Sequence, residues 1–202
     1  ELHRVEAAQE RQEKLYRALV EQSADGIMLL QEGWSVTYFS PSAERITGWM
    51  MGDLDQTPLA ELIHPDDLAS AYALFDTGIR KPGMIVTSAY RFRHKRGQYI
   101  WLEFTASNLM EAEEIRAIVV NFRDITARLE NEATLRLQSM ALEAAANGIL
   151  ITNPQMEVLW ANQAFLDMIQ KTEKELYGND LRDYLNFYNM QQPAFAEMQE
   201  IR

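Results

Sequence analysis

The stretch VVNFRDITARLE, residues 119–130, changes character at its centre. Val119, Val120 and Phe122 have the β-branched and aromatic bias of a strand, whereas 127–130 is a charged run with Ala and Leu that favours helix. Between them stand Asp124, Ile125 and Thr126. Asp and Thr side chains bind nearby backbone N–H groups, so the spacing predicts that Asp124 and Thr126 close the strand end and cap the following helix.

Upstream lie two more strand-like runs, Ile85–Arg93 and Tyr99–Leu109, and the third, ahead of the junction, covers 115–122; turns at 95–97 and 111–114 join them. Tyr90 and Phe92 alternate with Arg91 and Arg93, and Leu102 and Phe104 alternate with Trp101 and Glu103, which gives each strand one apolar face. Earlier still, apolar runs at 26–30 and 34–39 flank Gly33 as a hairpin. In SPSAERITGW, 40–49, Ser40 is placed to cap a helix, Pro41 fits its first turn and Gly48 ends it. In HPDDLASAYALF, 64–75, Pro65 opens a second helix, Asp66 and Asp67 lie by its positive end, and Leu68, Ala71, Tyr72 and Phe75 follow at helical spacing. Residues 1–22 read as an amphipathic helix whose seam runs Leu2, Val5, Gln9, Gln12, Tyr16, Leu19. Two strands, short helices and three strands make an α+β layout: an antiparallel sheet with helices on one face.

The pattern then repeats. An offset of 122 carries Gly26 to Gly148, Val36 to Val158, Tyr38 to Trp160 and Ser40 to Asn162, another good cap residue. The last residue then falls opposite Arg80, so the second unit is expected to be incomplete: a truncated or strand-exchanged front half over 137–202, with an unpaired sheet edge. The expected order is a leading helix over 1–22, a complete domain over 15–126, an interdomain helix over 127–147 and this second unit.

Composition narrows the function. The 202 residues are 47% hydrophobic and 24% charged, with a net charge of −11, which argues against nucleic acid or an anionic membrane as partner. There is no cysteine, hence no disulfide, thiolate nucleophile or cysteine-linked flavin. No apolar run reaches the roughly 20 residues of a membrane span, and 1–16 lacks the apolar core of a signal peptide. The reading is a cytoplasmic fragment without direct membrane contact, whose parent protein is free to be membrane-anchored.

SADGIMLL, VTYFSPSAERITGW, LIHPDDL, YRFRHKRGQYIWLEF and VVNFRDITARL, in this order, resemble the motifs of PAS domains, completely over 15–126 and as a front half after 137. The resemblance implies a five-stranded antiparallel sheet flanked by helices, with a pocket between them and linker helices before and after. It also implies a sensory or dimerisation module of a bacterial signalling protein, upstream of a histidine kinase, a diguanylate cyclase or a cyclic-dinucleotide phosphodiesterase. Asp124-Ile125-Thr126 matches the motif that ends the last strand and opens the helix toward the next domain. The loops at 95–97 and 111–114 depart from the family's usual residues, but both are turns.

Candidate chemistry is sparse. His64 could tempt as a haem ligand, yet it precedes Pro65 at a helix start, where capping explains it. His3 and His94 add no paired spacing, so no metal site is expected. Asp66 and Asp67 are adjacent on a helix, do not face one another, and read as helix-dipole partners. Trp34, Trp49, Trp101 and Trp160 read as core before cofactor box, and Met28, Met50, Met51 and Met84 as adaptable filler. No catalytic residue is expected; a catalytic output would lie in a downstream effector domain.

On alternation, the candidate ligand pocket is Met28, Phe39, Tyr90, Phe92, Leu102 and Phe104, and the signal junction is Asp124, Ile125 and Thr126. The cofactor is unknown, flavin ranking ahead of haem. The leading expectation is a ligand-responsive module that homodimerises through its helices; the alternatives are a flavin- or haem-based redox or gas sensor and a ligand-free dimerisation scaffold.

Overall fold

In the computed structural model, which describes residues 11–12, 14–15, 18–79 and 81–182, the chain divides into two units, Glu1–Leu129 and Glu130–Arg202. The expected helix over 1–22 therefore lies largely outside the described residues.

In the first unit, β1 (Gly26–Gln31), β2 (Ser35–Phe39), β3 (Ile85–Arg93), β4 (Tyr99–Leu109) and β5 (Ala117–Asp124) form a five-stranded sheet in the order β2-β1-β5-β4-β3. Every neighbouring pair is antiparallel. Between β2 and β3 the chain forms α1 (Pro41–Thr47), α2 (Met51–Leu54), α3 (Leu59–Leu62) and α4 (Pro65–Ala73), then a π-helical turn, Leu74–Gly78.

Alternation decides which face is buried. Along β4, Ile100, Leu102, Phe104, Ala106 and Asn108 are buried while the residues between them are partly open. The four apolar ones, Ile100 to Ala106, join Met28, Leu30, Val120 and Phe122 and, from the helical layer, Ala43, Leu54, Leu59 and Leu62 in one core. The helices end where local chemistry ends them. Ser40 Oγ accepts from Ala43 N–H at 3.1 Å to start α1, and Gly48, at φ 74°, stops it.

Two sequence boundaries move. The third long strand starts at Ala117 and not at 115, because Arg116 turns the chain at φ 45°. Trp34 is not the first residue of a strand: it belongs to a 3-10 turn, Glu32–Trp34, at φ 67°, a conformation costly for a bulky side chain.

The helix α5 spans Thr126–Glu143, shorter than the 127–147 read from sequence. In the second unit, β6 (Leu150–Thr152) pairs antiparallel with β7 (Val158–Ala161), followed by α6 (Gln163–Ile169) and α7 (Glu173–Leu176). The offset of 122 carries α1 onto α6 and α2 onto α7 residue for residue. Val158, Ala161, Leu166, Leu176 and Leu181 form a separate small core. The outer edge of β7 is partly closed, since Val158 N–H donates to Asn179 O at 3.0 Å and Gly178 N–H to Val158 O at 3.0 Å.

Candidate ligand site and signal junction

Inward alternation on four strands brings all six sequence-predicted pocket residues, Met28, Phe39, Tyr90, Phe92, Leu102 and Phe104, around one cavity of about 60 Å³. By volume it would hold about two waters, each taking roughly 30 Å³ in the liquid. Its lining is apolar but for Thr47, whose hydroxyl already donates to Ala43 O at 2.9 Å. It is far smaller than the roughly 300–1,000 Å³ of ordinary ligand pockets.

A second, open space lies beside it: a groove of about 1160 Å³ bordered by Trp34, Leu59, Tyr72, Phe75, Ile79 and Asn108, among others. Trp34, Leu59 and Phe75 border both spaces and form the wall between them. The wall is aromatic: the Trp34 ring centroid lies 4.8 Å from that of Tyr72 and 5.0 Å from that of Phe75. Phe75 continues to Phe104 at 5.9 Å, and Phe104 to Tyr90 at 5.4 Å. Strand alternation alone missed Trp34, Leu59 and Phe75, because they come from the turn and helices laid over the sheet. The Gly33-Trp34 turn and the helical spacing of Tyr72 and Phe75 were the available signals.

Asn108 is the buried polar residue by the groove. Its Nδ2 donates to Ile79 O at 2.6 Å and its Oδ1 accepts from Met110 N–H at 3.0 Å, so it ties the π-helical turn to the end of β4. His64 borders neither space. Its Nδ1 accepts from Asp66 N–H at 3.2 Å as the cap of α4. No group of three or more His, Cys, Asp or Glu suited to a metal ion occurs among the described residues.

Asp67 does more than face a helix end. Arg91 Nε and Nη2 donate to its carboxylate at 2.9 and 2.8 Å, and the Arg91 N–H adds a third bond at 3.0 Å. With His64 N–H donating to Arg91 O at 2.9 Å, the start of α4 is pinned to the edge strand β3. These hydrogen bonds from Arg91 hold the Asp67 carboxyl below its ordinary range, against the opposing effect of burial. The bond to Asp67 correspondingly raises the Arg91 guanidinium. Arg91 Cζ also lies 5.5 Å from the centroid of the Trp101 ring.

Trp101 leads to the junction. Its carbonyl accepts from Ile125 N–H at 2.9 Å and its N–H donates to Thr126 Oγ1 at 2.8 Å. Asp124 Oδ1 accepts from Thr126 N–H at 2.8 Å. Both roles read from sequence are filled, one by each residue: Asp124 satisfies the first N–H of α5, and Thr126 turns back to secure the strand. Ile125, 5% exposed, plugs the corner.

Residues 36–121 match the PAS fold family and residues 135–200 a PAS domain family. The chain is 22% identical over 187 residues to oxygen sensor protein DosP of Escherichia coli (strain K12), covering 91% of this chain and 22% of that protein. It thus spans about a fifth of the curated relative's length. Among solved structures, the PAS domain of an HTR-like protein from Haloarcula marismortui aligns with TM-score 0.52 at 15% identity, covering 61% of this chain and 99% of that one. A PAS domain from Colwellia psychrerythraea aligns with TM-score 0.49 at 19% identity over 56% of this chain and 97% of that one. Two consecutive family matches spanning most of the chain, on a repeat with an offset of 122, lead to one conclusion: the chain belongs to the PAS family and is a tandem PAS sensory region of a signalling protein.

Proposed function

We propose that the first PAS unit senses a small, largely apolar molecule in the groove beside Trp34. Occupancy passes through Asp124, Ile125 and Thr126 to α5, and so to an effector domain elsewhere in the parent chain. One observation carries this reading: β4 serves both sites. Leu102 and Phe104 border the cavity, while the adjoining Trp101 peptide holds Ile125 and Thr126. A ligand that moves Trp34 and Phe75 repacks Phe104, and a shift of β4 changes the anchor of α5. The switch is a population shift, and nearly full turnover requires a differential affinity of roughly 5.5 kcal/mol. In this reading the chain is cytoplasmic and non-catalytic; no described helix is long and apolar enough to cross a membrane.

A flavin- or haem-based redox or gas sensor is the alternative, favoured by the volume and aromatic border of the groove. The smaller cavity, at about 60 Å³, is too small for either cofactor. Native mass spectrometry and an absorption spectrum on one preparation of the purified chain test both readings. A colourless bound molecule, lost in Trp34→Ala while the fold is kept, is the expected result. A coloured cofactor of matching mass selects the alternative, and neither species after exposure to a small-molecule extract overturns both.

Homodimerisation through helices is part of the proposal. On α5, Leu135, Leu137, Met140 and Leu142 are exposed, and Ala133, Leu137 and Met140, continued by Ala144 just past the helix end, fall at alternating four- and three-residue spacing, the seam of a two-stranded coil. Light scattering tests it: a dimer converted to monomer by Leu137→Glu is expected, and a monomeric wild type overturns it.

A further inference from the structure

In the second unit one buried side chain joins three elements. Asn162, 0% exposed, sits between β7 and α6, and its Oδ1 accepts from Ile149 N–H at 2.8 Å and Phe165 N–H at 3.0 Å. Its Nδ2 donates to Leu142 O at 3.1 Å, Ala145 O at 3.3 Å and Asn147 O at 3.0 Å. An amide has two donor hydrogens and two acceptor lone pairs; all are engaged. The acceptor side binds the start of β6 and of α6, and the donor side binds the end of α5 and the carbonyls following it. Glu143 Oε1 reinforces the contact by accepting from Gln163 N–H at 2.9 Å.

The first unit does the same task with other residues. Ser40 Oγ accepts from Ile27 and Ala43 N–H at 3.0 and 3.1 Å, the positions equivalent to Ile149 and Phe165. The Ser40 side chain is one bond shorter than that of Asn162, and its hydroxyl meets Ser42. Ser42 extends it, 2.9 Å from Ser40 Oγ, and donates to Val20 O, the equivalent of Leu142 O, at 3.4 Å. Arg45 adds a bond to Glu21 O at 2.9 Å. Two unrelated side-chain solutions at equivalent positions bind the carbonyl end of the incoming helix to the strand and helix that begin the domain. An N-cap requires only the acceptor bonds.

We propose that Asn162 is the positioning residue through which displacement of α5 enters the second PAS unit. Its donor half grips the end of the helix and its acceptor half moves β6 and α6 with it. The proposal does not depend on the ligand of the first unit, or on there being one.

Asn162→Asp separates the two halves, because it keeps both acceptor bonds and removes both donors. Amide hydrogen exchange on the purified chain reads the result. The variant is expected to exchange on the order of tenfold faster at Ala144 and Ala145, with Ile149 and Phe165 still protected. Gln138→Gly, an exposed position one turn before Leu142 on α5 and outside the coil seam, then tests transmission. It is expected to speed exchange at Ile149 and Phe165 several-fold when Asn162 is present and not in the Asn162→Asp background. Equal effects in both backgrounds, or unchanged exchange at Ala144 and Ala145 in Asn162→Asp, would reduce Asn162 to a cap and overturn the proposal. Should Asn162→Asp fail to fold, Asn162→Ser, which supplies what Ser40 supplies in the first unit, is read by the same criteria.

Discussion

Thr126 Oγ1 accepts the backbone N–H of Trp101 at 2.8 Å, which makes the first residue of α5 an anchor of the interior strand β4. Thr126→Val keeps the shape but leaves the Trp101 N–H without its acceptor, at an expected cost of about 1–3 kcal/mol. Thr126→Ser retains the oxygen and is expected to stay near wild type. Urea unfolding separates the two; equal losses would show that the hydroxyl is not what matters. In the parent protein, Thr126→Val is expected to weaken the response to stimulus by more than its stability loss explains.

The Asp67 carboxylate gives the first unit an acid limb. Its folded value lies below the ordinary 3.8 because Arg91 donates to it. A depressed carboxylate contributes stability that is full above the unfolded value and is lost as pH falls through the folded one. Urea midpoints measured from neutral pH downward are expected to fall in wild type below about pH 4. Asp67→Asn is expected to be weaker at neutral pH and to show a shallower acid limb. An unchanged limb would place the acid sensitivity in other carboxylates.

Leu102 is buried at 7% exposure on the wall of the small cavity. Leu102→Ala is expected to cost about 2–5 kcal/mol, the usual range for a core truncation that cannot fully collapse. The enlarged void then has room for a small apolar solute, which the present volume of about 60 Å³ does not. Benzene is expected to raise the thermal midpoint of the variant and not of wild type. The same shift in both would mean that the solute binds in the open groove.

Gly26 is required by a close approach. A Cβ there would stand 2.5 Å from two ring carbons of Phe122 and 3.0 Å from Cα of Ala43, and at Gly148 it would meet Cα of Phe165, the equivalent of Ala43, at 3.1 Å. Gly26→Ala is expected to destabilise the first unit by about 1–3 kcal/mol through overpacking. Gly148→Ala is expected to cost less, since no ring lies at 2.5 Å. Chemical unfolding of each variant checks the ranking.

Much was already legible in the residues. Alternation of Tyr90, Phe92, Leu102 and Phe104 marked the face that encloses the cavity. The offset of 122 marked α6 from α1, and the caps that Ser40 and Asn162 place on Ala43 and Phe165, with the stop at Gly48, use local backbone chemistry, which needs only neighbours in sequence. These features depend on period and on contacts within a turn, and a sequence displays both.

Other features required the fold. Trp34, Leu59 and Phe75 became the wall between groove and cavity only when the helical layer closed over the sheet. Asp67 read as a helix-dipole partner until β3 brought Arg91 to it across 24 residues. Thr126 read, with Asp124, as part of a local junction until β4 offered the Trp101 N–H across 25 residues. Asn162 showed its cap on Phe165 in the sequence, while its bonds to Ile149 and Leu142, 13 and 20 residues away, had to wait for the chain to return. In each case a local hydrogen-bond or packing role was readable, and the partner that changed its meaning came from a distant segment, whose approach is set by the packing of the whole unit.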